Sequence, residues 1–220
     1  MLVRAATALL VASAPPVTRT RIELTAAAFE NPGWDALKRG LDQLPTFTVA
    51  NGKGQPLEYE IEGTPSAIFY ADLEEAKKEL AAAQAQYPDL GCDLIPVGVG
   101  SAYSLSVEGK AQLVPSTAEL QRAGMPPGGS AMGQALPLFA CMEMSQDSDN
   151  GPALPLFMSW ADAKEAVAQA SDTDSPDEEL EIVGLSLPSV VERLSSIEKP
   201  AFIFIPPSDS AAYIREYIAG

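Results

Sequence analysis

Five short patterns in this 220-residue chain have residue types and spacings that could do chemistry. Asp147-x-Asp149 and Asp172-x-Asp174 space carboxylates as calcium loops do, but neither carries the glycine and the closing glutamate of an EF-hand. Both read as solvated turns. Gly98-Val99-Gly100 follows an apolar run, as the phosphate turn of a dinucleotide fold does, yet Tyr103 stands where the third glycine belongs. The run PPGGSAMG from Pro126 lacks the lysine of a phosphate loop. Cys92 and Cys141 lie far apart with no CxxC spacing, so they read as small apolar core residues rather than as a zinc or dithiol site. Spacing alone does not fix whether those two thiols pair. Histidine is absent altogether, which removes the usual general base near neutral pH, the Ser-His and Cys-His nucleophile pairs and the commonest metal ligand. The expectation is a protein without catalytic turnover, metal or cofactor.

Binding chemistry is better represented. The formal net charge of -16 repels phosphate backbones and anionic headgroups, which argues against nucleic acid and against charge-driven membrane binding. It attracts basic segments. Apart from Met1, every methionine falls between Met125 and Met158: Met125, Met132, Met142, Met144 and Met158. Methionine repacks around apolar partners of varied shape, so this stretch, with the neighbouring Phe139 and Phe157, is the candidate contact surface. Met142 and Met144 alternate onto one face of an expected strand, where core packing is the competing role. Asp172, Asp174, Asp177 and Glu178 are the candidate steering charges for a basic partner.

The elements that must position these residues occur twice. At an offset of 87, Tyr70 falls on Phe157, Asp72 on Ser159, Glu75 on Asp162 and Leu80 on Val167. Asp72-x-x-Glu75 and Ser159-x-x-Asp162 each put a capping oxygen before a helix and a carboxylate in its first turn. Apolar residues then recur at helical spacing (Leu73, Ala76, Leu80, Ala83; Ala163, Val167, Ala170). DLIPVGV and ELEIVGLSL follow as strands, with Gly98 matched to Gly184. Upstream, a Leu-Pro-x-Phe strand from Leu44 and from Leu136 leads into a turn and a returning strand. Downstream, a last strand, a proline stop and a short helix close each half. The fold class is therefore mixed α/β (α+β): two related halves about a pseudo-twofold axis, mixed sheets with helices on one face, and an N-terminal helix in front. The divisions are an N-terminal apolar segment and helix (1–43), a first repeat (44–122), a Gly/Pro/Met linker (123–135) and a second repeat (136–220).

MLVRAATALLVASAPP opens the chain with the apolar run and the Ala-Ser-Ala ending of a secretory-type signal, but the run is far short of a bilayer span. It is expected to persist as an apolar helix docked on the body or on a neighbour. Taken in order, LPTFTVANGKGQPLEYE, the aromatic-to-helix boundary at Tyr70, and the same order again from LPLFACMEM onward resemble the Tic22-like family over Trp34 to Tyr217. These are soluble components linked to the translocon at the inner chloroplast envelope. The resemblance implies a two-lobed, non-catalytic plastid protein of the intermembrane space or thylakoid lumen. Its clefts would handle precursor or unfolded polypeptides in a chaperone-like manner, with translocon subunits as further partners. The alternative is an extrinsic structural subunit of a thylakoid membrane complex such as a photosystem with its antenna.

Overall fold

The computed structural model describes residues 26–61, 63–148, 151–174, 180–197 and 202–219. The N-terminal apolar segment expected to form a helix lies outside them. After a short helical stretch at 26–28, helix α1 (Trp34–Leu41) buries Trp34, Leu37 and Leu41 at a helical spacing. A five-stranded sheet follows: β1 (Pro45–Ala50), β2 (Glu58–Ile61), β3 (Thr64–Tyr70), β4 (Asp93–Gly98) and β5 (Ala111–Val114). Helix α2 (Leu73–Gln86) links β3 to β4, α3 (Val99–Val107) links β4 to β5, and α4 (Thr117–Arg122) follows β5. The order then recurs. Strands β6 (Pro137–Cys141), β7 (Gln146–Ser148), β8 (Gly151–Phe157), β9 (Ile182–Ser186) and β10 (Phe202–Ile205) are accompanied by α5 (Trp160–Asp174), α6 (Leu187–Leu194) and α7 (Ser208–Ala219).

The two sheets carry the same pairings in the same sense. β1 lies antiparallel between β3 and β4, while β2 and β5 pair with β3 antiparallel and parallel. β6 lies likewise between β8 and β9, with β7 and β10 on β8. The chain is thus a mixed α/β protein with two predominantly antiparallel sheets and crossover helices. The registers also correct the expected alignment. β1 pairs Pro45 with Gly98 and β6 pairs Pro137 with Ser186, so the position answering Gly98 is Ser186, and Gly184 answers Pro96. Matching glycine to glycine slipped the second strand by two residues. That shift keeps every side chain on its face and is invisible to periodicity.

Helices cover both faces of the sheets, not one. Along β1, Phe47 and Val49 join Leu73, Ala76, Ala83 and Leu94 in one cluster, with Leu80 of α2 packed against it. On the opposite face Phe69 joins Ala102 of α3 and Ala111 of β5. Both β1 and β6 are buried at every residue, as a strand must be when two layers enclose it. The largest cluster unites α1, α3 and α6 with one face of the second sheet, through Leu37, Leu41, Val99, Leu138, Leu156, Leu187, Val190 and Val191.

The glycines at the start of α3 belong to this packing. A Cβ on Gly98 would lie 2.7 Å from the Asp42 Cα, and one on Gly100 would lie 2.7 Å from the Lys38 carbonyl oxygen. They let α3 approach the end of α1 closely. Asp42 then accepts the Ser101 N–H at 2.8 Å and the Lys38 ammonium at 2.7 Å, capping α3 from another element.

Candidate functional site

Two hollows of about 290 Å³ each open on the described surface. The first lies where the two sheets meet. Helices α2, α4, α5 and α7 all begin around it, because each follows a strand that ends at that junction. Their caps interlock. The Asp72 carboxylate accepts the N–H groups of Glu74 and Glu75 at 2.9 and 3.0 Å, and its other oxygen accepts the Ser116 hydroxyl at 2.8 Å. Ser116 in turn caps α4, at 3.5 Å from the Glu119 nitrogen. Glu119 then reaches across to the second half, where its Oε2 accepts the Trp160 N–H at 2.9 Å. Ser159 caps α5 locally through the Asp162 N–H at 3.2 Å. Asp162 does not reach back to its own cap; its carboxylate accepts the N–H and O–H of Ser208, at 3.0 and 2.7 Å, at the start of α7.

These caps satisfy amides that helix starts leave unpaired, and they place carboxylates at the positive ends of the helix dipoles. They also bring anionic side chains together. Burial raises the Glu119 carboxyl above its ordinary range; the Trp160 N–H and Arg122 oppose that rise, and Asp162 and Asp72 add to it.

The closing helices cross between the halves in both directions. Tyr213 and Ile214 of α7 pack on the first sheet's cluster, with Tyr213 edge-on to Phe47 at 5.6 Å and beneath the Lys77 ammonium at 5.6 Å. Reciprocally, the end of α4 approaches the second sheet, where Ala123 lies 3.6 Å from the place a Gly184 Cβ would take.

The second hollow is apolar. Phe202, Ile203 and Phe204 of β10 form one wall, and Ala36, Gly40 and Gln43 of the α1 segment form the other. Gly40 permits the approach, since a Cβ there would press on the Phe204 ring at 2.9 Å. β10 pairs with β8 on one side only, so among the described residues its other edge has no strand beside it.

The residues nominated from the sequence do not form one surface. Phe139 is fully buried and Phe157 nearly so, in a cluster with Ala163 under α5. Met158 is buried beside the junction and lines its cavity. Those three are core residues. Met142 and Met144 sit in the turn after β6 rather than alternating along a strand, and Met142 packs against the central cluster. The linker methionines are the accessible ones: Met125 is half-buried, with its sulfur 3.0 Å from the Cβ position of Gly129, and Met132 is 42% exposed. Asp172 and Asp174 fall in the last turn of α5, but their side chains, with Asp177 and Glu178, lie outside the described residues. Cys92 and Cys141 are separate buried thiols; burial and the nearby Glu143 carboxylate push the Cys141 thiol up. Sequence reasoning missed Ser116, Glu119, Ser208 and the β10 wall. Ser116-x-x-Glu119 has the spacing of a capping box, but its glutamate serves a helix 41 residues on.

No curated protein matches the chain. A family model described as the Tic22-like family matches residues 11–216. The chain belongs to the Tic22-like family. Solved structures of family members share its fold at low identity. Tic22 from Plasmodium falciparum superimposes with a TM-score of 0.70 at 18% identity, covering 84% of this chain and 98% of that one. Tic22 from Anabaena, described as a protein-transport protein, gives 0.64 at 18% identity, covering 83% and 96%. At such identity the agreement concerns the fold, and the side-chain geometry above is this member's own. Among the described residues of this Tic22-like chain, no helix is long and apolar enough to cross a membrane.

Proposed function

We propose that this Tic22-like protein binds basic, amphipathic segments of precursor or unfolded polypeptides during protein import in a plastid, holding them in a chaperone-like manner without catalysing a reaction. The observation that carries this reading is the pairing of strong negative charge, -16 over the chain, with apolar surface left open in the β10–α1 hollow and at Met125 and Met132. Transit segments are Arg- and Ser-rich and poor in acid, so charge would bring them in and apolar burial would retain them. Exposed ion pairs contribute only about 0.2–1 kcal/mol each, whereas burying one large apolar side chain contributes about 1.5–3 kcal/mol. The matching strand orders and the reciprocal crossing of α4 and α7 support a further reading: 44–122 and 136–220 are copies of one module joined by the 123–135 linker, with 1–43 in front.

The test is the association and dissociation of a fluorescent Arg/Ser-rich amphipathic peptide with the full chain, across a salt series. Met125→Ser with Met132→Ser should raise the off-rate roughly ten-fold, as expected for about 1.4 kcal/mol of lost burial. Neutralising Asp172, Asp174, Asp177 and Glu178 should slow association and flatten its salt dependence. Binding that is equally fast and tight at high salt would remove the electrostatic part. Unchanged off-rates in both the methionine pair and an Ile203→Ser variant would remove the apolar part. Co-purification of a fixed set of pigment–protein subunits under mild detergent, with no precursor captured, would instead support the extrinsic-subunit reading.

A further inference from the structure

Strand β10 ends the second sheet with an edge that the described chain leaves unpaired. Met158 donates its N–H to the Ile205 carbonyl, and Ile205 stands opposite Phe157 in the parallel ladder with β8. Main-chain groups alternate sides along a strand, so Ile203 and Ile205 turn theirs toward β8, while Phe202 and Phe204 turn theirs to the free edge. Among the described residues no strand pairs with that edge. Exposed edges are ordinarily blunted by a charge, a proline or a bulge. β5, which holds the same place in the first sheet, carries Gln112 and follows Lys110. β10 reads Phe-Ile-Phe-Ile, with no polar side chain. Its two faces are already packed: Phe202 and Phe204 join the central cluster beside α1, and Ile205 joins the cluster under α5. What stays open is the main-chain edge and, beside it, the hollow of about 290 Å³ whose other wall is Ala36, Gly40 and Gln43.

We propose that β10 is a strand-addition site: an extended, basic polypeptide segment pairs its main chain with the outward N–H and C=O groups of Phe202 and Phe204 and seats alternate apolar side chains in the β10–α1 hollow. This rests on the polypeptide-binding reading and specifies the conformation in which the client is held. Main-chain pairing accepts almost any sequence, and the hollow asks only for apolar residues at every second position, so many different precursors satisfy both. Charge chooses the occupant. A second copy would bring another -16 to an edge-to-edge contact, whereas an Arg-rich segment is attracted to that charge. A helical client, by contrast, satisfies its own main chain and leaves the outward groups of β10 without partners.

The experiment compares two fluorescent peptides of identical Arg, Ser and Leu content on the full chain. One has leucine at alternate positions, the other at the i, i+3, i+4, i+7 spacing of a helix. The alternating peptide should bind about ten-fold more tightly. With that peptide at about ten times its Kd, amide hydrogen exchange at Phe202 and Phe204 should slow about ten-fold, while Ile203 and Ile205, already paired with β8, change far less. Two further versions carry N-methyl groups on the odd or on the even main-chain nitrogens. One should lose binding and the other keep it, since only alternate nitrogens face β10. Binding of both leucine patterns with no slowing at Phe202 and Phe204 overturns strand addition and leaves the polypeptide-binding reading standing. Binding of neither removes that reading as well. A helix-spaced peptide that binds as tightly, or N-methyl versions that bind equally well, also overturn strand addition. So does protection of Phe202 and Phe204 before any peptide is added: where it vanishes on dilution the occupant is a second copy, and where it persists the occupant is a segment of the chain itself.

Discussion

Gly98→Ala tests whether the close approach of α3 to α1 holds the first half together. Gly98 has φ -65° and ψ 141°, a conformation that alanine adopts without strain, so the cost comes from space alone. The new methyl would lie 2.5 Å from the Asp42 Oδ1, 2.7 Å from its Cα and 2.8 Å from its Cβ. Ordinary carbon contacts lie near 3.5–4.0 Å, so backbone must move by roughly 1 Å. Overpacking of this kind costs about 1–3 kcal/mol. Displacing Asp42 also removes the cap at the Ser101 N–H, worth about 1 kcal/mol, and disturbs the Lys38 hydrogen bond to the Ser101 hydroxyl. The sum is about 2–4 kcal/mol. In a chain of this size that is a fall in Tm of roughly 4–16 °C. Urea unfolding followed by far-UV circular dichroism measures it. Asp42→Ala in the same background should add less than it costs alone, by about the value of the cap, since that hydrogen bond is lost only once. Gly184→Ala is the control: its methyl would meet Ala123 and Phe139 at 3.6–3.9 Å, ordinary contact, and stability should stay within about 0.5 kcal/mol. A Gly98→Ala protein as stable as the parent, or a Gly184→Ala protein damaged as badly, would refute the argument.

The crossing of α7 onto the first sheet predicts that Tyr213→Ala destabilises the chain by about 2–4 kcal/mol, from the Phe47 edge contact, the Lys77 cation over the ring and the partial burial of the ring. Tyr217→Ala, at a 42% exposed ring in the same helix, should cost under about 1 kcal/mol by the same urea assay. In a spectrophotometric alkaline titration, Tyr70 should reach half-ionisation only at about pH 12, because burial and the Glu79 and Glu75 carboxylates raise it to about 12. The stability this contributes is lost as pH rises through that value, and Glu79→Gln should bring the ionisation forward. An early, unchanged tyrosine absorbance in both proteins would refute the assignment.

Local chemistry determined much of this protein before folding. Asp72 and Ser159 cap their helices as their spacing requires, because a cap is a hydrogen bond between residues two or three apart. Pro115 and Pro206 end their strands because neither has an N–H to continue a ladder. The repeated order of these signals carried the fold class and the resemblance to the Tic22-like family. Register was decided elsewhere: Gly98 answers Ser186 because β1 and β6 choose their partners through buried faces, to which a shift of two residues looks the same. Which apolar residues stay accessible was likewise decided only by packing. Phe139 and Met132 have similar apolar character, yet one lies beneath α5 and the other on a linker. The junction cavity has no local signature at all. Glu119 meets Trp160 and Asp162 meets Ser208 across separations of 41 and 46 residues, and only the crossing of helices between the two sheets brings those carboxylates into one space.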